Sequence, residues 1–370
     1  MATPFDTDIF IAGGGPAGLV AAIAARRKGF RVTVADSAHS AIDKACGEGL
    51  MPDAVEVLAG LGVSFAPEEY VPFHGIRFCG HDRAVEAAFP NGEGYGVRRT
   101  TLHRILAAKA GEAGVTLLWD SPVTGLEGQR VQMRNQSMTA RFIVGADGAA
   151  SAVRRWAGLD ARLRDSHRFG FRRHFQVTPW TDHVEVHWAS GCQIYVTPVA
   201  ADQVNVALLS RSSDLRLDQA LPLFPDLAQR LRGAVPASAE RGSISASRRL
   251  RRACHGHVAL IGDASGSVDA VTGEGLSLAF QQALALASAM ELDDLGLYQA
   301  AHTRIRRRPA LMADLMLLMD QRDRLRRRVF SVLSARPTLF ADMLSMHVRG
   351  FSPRVLMTAA VTLGWNLLTA

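Results

Sequence analysis

A glycine-rich turn between an apolar strand and an alanine-rich helix is the feature that most constrains this fold. The apolar run at 8–12 precedes Gly13, Gly15 and Gly18, and a second β-branched run after the helix ends at Asp36. In a βαβ unit these three glycines permit a tight turn, a close approach of backbone to a pyrophosphate, and close helix–strand packing. The unit predicts an adenine dinucleotide site in which Asp36 accepts hydrogen bonds from ribose hydroxyls.

The helix of this unit starts around Pro16 and Ala17. Its free N–H groups and the positive end of its dipole should face the phosphates, so both residues belong to the predicted cofactor site. A tight strand–helix turn without a ligand is the alternative. The motif alone does not distinguish FAD from NAD.

Length and composition indicate a globular protein. The chain has 370 residues, enough for two domains, with 48% hydrophobic and 21% charged residues. No pair of cysteines has the spacing of a zinc site, so we predict no metal and reduced thiols in a cytoplasmic protein. The N-terminus has no signal-peptide pattern, and no uncharged stretch is long enough to span a bilayer.

The formal net charge of +7 comes largely from arginines within 304–308 and 322–328. Three interpretations stay open: a solvated helix face, a surface for acidic lipid, or a surface for an acidic carrier protein. Nucleic acid is not expected, because no recognition module or interleaved aromatic residues accompany the arginines.

Three further turns carry nucleotide-binding signals. Asp147 follows an apolar strand, and so does the pair at 262–263. Gly273 and Gly275 precede a long helix that starts at Leu276, whose N-terminus can face an anion. Each signal is weak alone, because an Asp-Gly pair is usually only a turn. Together, in this order and at these distances, they are specific.

With these motifs the chain resembles FAD-dependent oxidoreductases of the para-hydroxybenzoate hydroxylase fold. That superfamily includes flavin monooxygenases, geranylgeranyl reductases and flavin halogenases. The resemblance covers roughly residues 7–300. It rests on 13–18, 97–102, 145–148 with Ser151 and Arg154, and 262–275.

The resemblance implies roles for individual residues. Gly262 and Asp263 would lie at the ribityl and pyrophosphate part of FAD, and Arg99 would reach the same region. The turn from Gly273 through Gly275 to Leu276 would lie at the pyrimidine end of the flavin. Asp147 would serve FAD binding and, as in the hydroxylases, the binding of NADPH.

Finer features resemble the geranylgeranyl reductase branch, with departures. The loop from Cys46 to Gly49 matches that branch, whereas Ala270 replaces its usual proline. The aromatic substrate strand of the archaeal members is replaced by Gln193, Tyr195 and Thr197. The paired-tryptophan motif of the halogenases is missing, so we do not expect halogenation.

Candidate catalytic residues are Cys46, His187 and Tyr195. Cys46 could donate the proton in a reduction, or be a small packed residue in a glycine loop. Two sets of alternating residues, 183–187 and 193–197, present polar side chains on strand faces. One of the faces should floor the substrate cavity, and we select His187 and Tyr195 as pocket residues.

The expected fold class is α/β, with a Rossmann-like FAD-binding domain and an antiparallel substrate sheet. The FAD-binding domain is discontinuous and comprises 1–75, 97–160 and 250–300. The substrate domain comprises 76–96 and 161–249, and 301–370 forms a C-terminal helical region. The apolar C-terminal helices could pack over the core, act as a lid, or lie on a membrane surface.

The favoured activity is NAD(P)H-dependent hydroxylation or epoxidation of an apolar aromatic or polyketide-like molecule of secondary metabolism. The first alternative is saturation of isoprenoid double bonds. The second is a flavoprotein that docks to a membrane surface or an acidic carrier. The sequence does not predict the oligomeric state.

Overall fold

A computed structural model describes residues 5–80 and 82–349, and the glycine fingerprint directly follows a strand of its first sheet. Numbered in chain order, the eight strands of this sheet are β1 (Thr7–Ala12), β2 (Val32–Ala35), β8 (Thr116–Leu118), β9 (Val123–Glu127), β10 (Arg130–Met133), β11 (Ser137–Gly145), β18 (Cys254–His255) and β19 (Val258–Leu260). They run in the order β18-β19-β11-β1-β2-β8, with β10 and β9 extending from β11. The pairs among β19, β11, β1, β2 and β8 are parallel.

The second sheet is mostly antiparallel. Its strands are β5 (Gly75–Cys79), β6 (Ala84–Ala88), β12 (Arg162–Gln176), β13 (His183–Ala189), β14 (Cys192–Ala200), β15 (Gln203–Ser210), β16 (Val235–Pro236) and β17 (Arg241–Leu250). They run in the order β16-β12-β15-β14-β13-β5-β6, and β17 pairs with β12. Strands β5 and β13 pair in parallel, which the alternating pattern did not predict.

A third sheet of three short strands lies at residues 49–96. It has the order β3-β7-β4 and consists of β3 (Gly49–Leu50), β4 (Val71–Phe73) and β7 (Gly94–Gly96). The α/β fold class is therefore confirmed. The domain boundaries given above stay a prediction, and within 76–96 the strand β7 pairs with this third sheet instead of the second.

Ten α-helices complete the described chain. Helix α1 follows β1 directly and is buried from Gly18 to Ala25, as a βαβ crossover requires. The helices are α1 (Pro16–Arg27), α2 (Pro52–Gly60), α3 (Arg99–Glu112), α4 (Ala152–Trp156), α5 (Leu217–Ala220), α6 (Pro225–Arg230), α7 (Gly275–Glu291), α8 (Leu295–Gln321), α9 (Asp323–Ala335) and α10 (Pro337–Arg349).

The C-terminal helices α8, α9 and α10 pack on the cavity side of the second sheet. Met316, Leu333 and Phe340, one from each helix, share a hydrophobic cluster with strand residues of that sheet. The predicted apolar segment beyond residue 349 lies outside the described residues. Among the described helices, none combines the length and the apolar character needed to cross a bilayer.

Candidate active site

One cavity of about 840 Å³ runs from the fingerprint to the C-terminal helices. We divide it into a cradle and a chamber. The cradle is lined by Gly13, Gly15, Pro16, Ala17, Asp36, Arg99, Asp147, Gly148, Gly262, Asp263, Gly273, Gly275 and Leu276. The chamber is lined by Phe73, Ile76, Phe78, Val184, Val186, Tyr195, Leu209, Val268, Val271, Met312, Met316, Met319, Val329, Leu333, Phe340, Met343 and Leu344.

The topology explains why distant motifs meet in the cradle. Strands β19, β11, β1 and β2 are neighbours, and each ends one or two residues before a residue of the cradle: Gly262, Asp147, Gly13 and Asp36 respectively. The carboxyl ends of parallel strands meet at one edge of a sheet, where α/β folds bind their ligands. All the predicted cofactor residues except Gly18 line this cavity, and Gly18 supports its wall.

Two fingerprint glycines are required by close backbone contacts. A Cβ atom on Gly13 would lie 2.4 Å from the carbonyl oxygen of Ala146, and the φ angle of +115° also disfavours a side chain. A Cβ atom on Gly18 would lie 1.9 Å from the carbonyl oxygen of Gly13. Gly15 instead faces open space at the start of α1, and no side chain caps that helix. The arrangement leaves helix N–H groups directed into the cradle.

Polar groups in the cradle are poised for a ligand. One oxygen of Asp147 accepts hydrogen bonds from the N–H groups of Ala152 and Val153 at 2.7 and 3.1 Å. Its other oxygen is buried without a hydrogen-bond partner among the described residues, as is Nε of Arg99. Asp36 accepts hydrogen bonds from the backbone of Gly14 and Ala38, which holds its carboxylate at the end of β2.

A loop of residues 41–48, which we call the cysteine loop, lies at the junction of cradle and chamber. Its Lys44 extends over the cradle, with Nζ 3.6 Å from a carboxylate oxygen of Asp263. Cys46 lines the cavity, and its Sγ accepts a hydrogen bond of 3.4 Å from the N–H of Glu48. The loop thus places a thiol where the two parts of the cavity meet.

Buried polar side chains of the second sheet hold the cysteine loop in place. Glu48 accepts a hydrogen bond of 2.8 Å from the N–H of Arg99, and His174 Nε2 lies 2.6 Å from its second oxygen. Arg172 forms an ion pair with Asp43 of the loop. The Asn205 side chain donates a hydrogen bond of 3.0 Å to the carbonyl of Cys46. The short motifs place Glu48 in the loop from Cys46 to Gly49 but do not identify its partners, because these are distant in sequence and belong to no short pattern.

A second group of buried charges supports the turn before α7. Burial raises the pKa of Glu274 to about 8, although Arg308 lies 3.8 Å away. Burial also raises the pKa of the nearby Asp53 carboxyl, which accepts hydrogen bonds from Ser277 and Gln281. These groups connect α2, α7 and α8 directly behind Gly273 and Gly275.

The chamber is apolar. Seven charged side chains line the described cavity, and all of them belong to the cradle, to the cysteine loop or to its anchor: Asp36, Lys44, Glu48, Arg99, Asp147, Arg172 and Asp263. Tyr195 lines the chamber, and its hydroxyl donates a hydrogen bond of 2.7 Å to the carbonyl of Val271. Burial raises the pKa of this hydroxyl, so Tyr195 stays protonated in the physiological range.

The prediction that His187 lies in the pocket is wrong. Val186 pairs with Tyr195 in the sheet register, so these two residues share the face that lines the cavity. His187 therefore points to the opposite face, where Nε2 lies 3.0 Å from a carboxylate oxygen of Glu185. Potential ligand atoms of His187, Glu185 and Cys79 lie within 4.8 Å of one another on that far face. The alternation of residues along the strand distinguishes the two faces of the sheet, but it does not predict which face lines the cavity.

Comparisons with known proteins agree with this geometry. A family model described as "FAD binding domain" matches residues 6–293. This chain belongs to that family. It is a FAD-dependent oxidoreductase, and the match confirms the resemblance to the FAD-dependent oxidoreductases described under Sequence analysis.

Two relatives cover most of this oxidoreductase. A menaquinone reductase of Mycolicibacterium smegmatis is 28% identical over 324 residues, covering 80% of this chain and 78% of the relative. Digeranylgeranylglycerophospholipid reductase 1 of Methanococcoides burtonii is 25% identical and covers 78% of this chain and 76% of the relative. The solved structure of a flavin-dependent brominase superposes with a TM-score of 0.82 at 18% identity, covering 98% of each chain. That likeness shows the fold alone.

The cradle fits FAD. The open N-terminus of α1 and the unpaired Nε of Arg99 suit a pyrophosphate, and the free oxygen of Asp147 suits a hydroxyl. The cavity then continues to Gly273 and Leu276, beyond the reach of the fingerprint alone. Bound there, FAD would supply hydride-transfer chemistry at the entrance to the chamber.

Proposed function

We propose that this oxidoreductase reduces carbon–carbon double bonds of a lipophilic, isoprenoid-type substrate. The observation that carries the proposal is the chamber, because its wall is formed by methionine, phenylalanine and aliphatic side chains and by Tyr195, without a charged group. A hydroxylase acting on phenols profits from a base that removes the phenol proton, and this chamber offers none. The two relatives described above are reductases by name, which supports the same choice.

In the proposed reaction the alkene lies in the chamber with one carbon facing the cofactor. FAD held by the cradle would supply the hydride for that carbon. The Cys46 thiol donates a proton to the second carbon, so the double bond gains two hydrogen atoms and the cysteine becomes a thiolate that water reprotonates. NADPH or NADH, the reductant that the resemblance implies, would supply the electrons for the cofactor.

The residues around Cys46 would position the thiol for this step. His174 and Arg172 are buried and hold the loop from one side through Glu48 and Asp43, and Asn205 holds its backbone. The apolar side chains of the chamber exclude water from the reacting carbon atoms and favour an apolar substrate there. Tyr195 donates its hydroxyl proton to a backbone carbonyl and is therefore a structural member of the wall in this mechanism.

The test is an anaerobic single-turnover reaction. The FAD-loaded protein is reduced and mixed with isoprenoid alkenes of increasing chain length, and flavin oxidation is followed together with the mass of the product. We expect a product that has gained two hydrogen atoms. In Cys46→Ala the rate should fall by a factor of about 100 or more if the thiol is the proton donor.

Cys254→Ala is the matched control, because that cysteine lies outside the cavity lining. It should react like the wild type. Two observations together would contradict the reductase. Without oxygen, no alkene oxidises the reduced flavin, and in air the protein incorporates an oxygen atom into an electron-rich substrate. That result would establish the monooxygenase that the sequence motifs favoured.

A further inference from the structure

The positive charge of this protein is concentrated in the two helices that cover the chamber. Residues 295–335, which form α8 and α9, contain nine arginines and three aspartates without lysine or glutamate, a formal charge of +6. The whole chain carries +7. If the arginines served only to keep a helix face solvated, nearly all of the excess positive charge would not need to lie on the two helices over the apolar chamber.

Both helices combine an arginine-bearing outer face with an inner face that lines the chamber. On α8, Arg304 and Arg307 are exposed, and one turn further Leu311 is also 43% exposed. Their spacing of three and four residues places them on one side of the helix. On α9, Arg324 and Arg327 are exposed, whereas Val329 and Leu333 are buried in the chamber wall.

The aspartates of these helices do not neutralise the outer face. Asp320 is buried and pairs with Arg168 of the second sheet. Asp314 lies 2.7 Å from a guanidinium nitrogen of Arg164, and Asp323 lies 2.8 Å from one of Arg326. Each carboxylate therefore has a cationic partner that is not among the exposed arginines named above.

The cavity opens at the same surface. Leu315 lies one turn after Leu311 on α8, is 42% exposed and also lines the cavity. Ile244 of the edge strand β17 is 57% exposed and lines the cavity as well. Large apolar side chains that reach from a cavity to solvent, beside arginines, are typical of a surface that enters a lipid interface.

We propose that the outer faces of α8 and α9 dock this protein onto an anionic lipid bilayer, so that a lipophilic substrate enters the chamber beside Leu315. The proposal rests on the proposed function only for the nature of that substrate. Guanidinium groups bind lipid phosphates by paired hydrogen bonds, while Leu311 and Leu315 enter the headgroup layer. Exposed leucines between the arginines favour a bilayer over an acidic carrier protein, because a bilayer receives apolar side chains without a matching pocket.

The test is vesicle co-sedimentation of the full-length, FAD-loaded protein. Vesicles of phosphatidylcholine alone are compared with vesicles that also contain phosphatidylglycerol, at low and high salt. We expect binding only to the anionic vesicles, and weaker binding as salt screens the arginines. The double variants Arg304→Gln/Arg307→Gln and Arg324→Gln/Arg327→Gln should each lower the partition coefficient about thirtyfold, at about fivefold per arginine. Leu311→Gln should lower it about tenfold.

Matched variants on other surfaces serve as controls. Arg134→Gln/Arg232→Gln removes two exposed arginines, and Leu292→Gln removes a leucine that is 67% exposed. These variants should bind vesicles like the wild type. No binding to anionic vesicles, or binding that the α8 and α9 variants leave unchanged, would overturn the proposal. Binding to an acidic acyl carrier protein without lipid, lost in the same variants, would assign the surface to a carrier.

Failure of the proposed function gives a different result. The same variants are assayed with a detergent-solubilised alkene, where docking is not needed. An inactive wild-type protein that still binds anionic vesicles would contradict the reductase and leave the docking surface standing. A wild-type protein that reduces the alkene but does not bind anionic vesicles would support the reductase and contradict the docking surface.

Discussion

The cradle and the chamber are parts of one cavity, yet their walls are built in opposite ways. Backbone and a few charged side chains form the cradle, at the ends of neighbouring parallel strands. The chamber wall consists of mostly apolar side chains from the second and third sheets, the turn at 268–271 and three C-terminal helices. A cradle of backbone groups tolerates little change in position, whereas a wall of methionines and aliphatic residues can repack.

The difference separates cofactor from substrate. The motifs of the cradle are those of a family that includes many flavoenzymes, because FAD requires the same phosphate and ribose contacts in each of them. The chamber is where this chain acquires its own specificity. Predictions that alter one region and measure the other therefore test whether the division is real.

The largest effect is expected from Gly18→Ala in the cradle. Its Cβ atom would lie 1.9 Å from the Gly13 carbonyl oxygen, so the turn must move, at a cost of about 4 kcal/mol of unfolding free energy. Gly15→Ala is the matched control, because nothing lies within 4 Å of its Cβ position. Denaturant unfolding of the FAD-free proteins and FAD titrations should show that Gly15→Ala weakens FAD binding only. A stable Gly18→Ala that binds FAD normally would contradict the packing argument.

The next effect concerns the attachment of α8, one of the helices that line the chamber. Asp320 of α8 is buried against Arg168 and Arg211, so Asp320→Ala leaves the Arg168 charge with less compensation and should cost about 3 kcal/mol. In Asp314→Ala the lost ion pair with Arg164 is about half-exposed, so the cost should stay below about 1 kcal/mol. Denaturant unfolding measures both. We expect FAD affinity to be unchanged in either variant, and a parallel loss of FAD binding in Asp320→Ala would break the division between the two regions.

A pH dependence should arise from Glu274, which lies between the cradle and α8. Its pKa is raised from 4.5 to about 8 by burial, so the folded state binds a proton that the unfolded state has released. The unfolding free energy should therefore fall by up to about 1.4 kcal/mol per pH unit between about pH 5 and pH 8 and level off above that range. Denaturant unfolding across this range should show a flatter profile for Glu274→Gln. Glu56→Gln, on an exposed glutamate, should keep the wild-type slope.

The smallest effect is expected from Tyr195→Phe in the chamber. The loss of one hydrogen bond to the Val271 carbonyl should cost about 1 kcal/mol of unfolding free energy. If Tyr195 is only part of the wall, the rate of alkene reduction should change less than about fivefold. A loss of 100-fold or more at unchanged FAD affinity would instead make Tyr195 the catalytic residue that the sequence suggested. Single-turnover kinetics with each variant decide between these outcomes.

Most of the cradle could be predicted from short motifs in the sequence. Gly13, Asp147 and Asp263 each follow an apolar strand within such a motif, and parallel strands bring these turns to one edge. The chamber could not be predicted in the same way. Tyr195 was placed in the pocket and lines it, whereas His187, selected by the same alternation, faces the other side of the sheet.

The sequence by itself determined the α/β class, the cofactor family and the residues of the cradle, because local backbone requirements leave a readable pattern of glycines and acids. Only the tertiary structure decided which sheet face lines the cavity, how Glu48 and His174 hold the cysteine loop, and that α8 to α10 close the chamber. Those features depend on contacts between residues more than 100 positions apart, such as Glu48 and His174, and no local pattern encodes such a pairing.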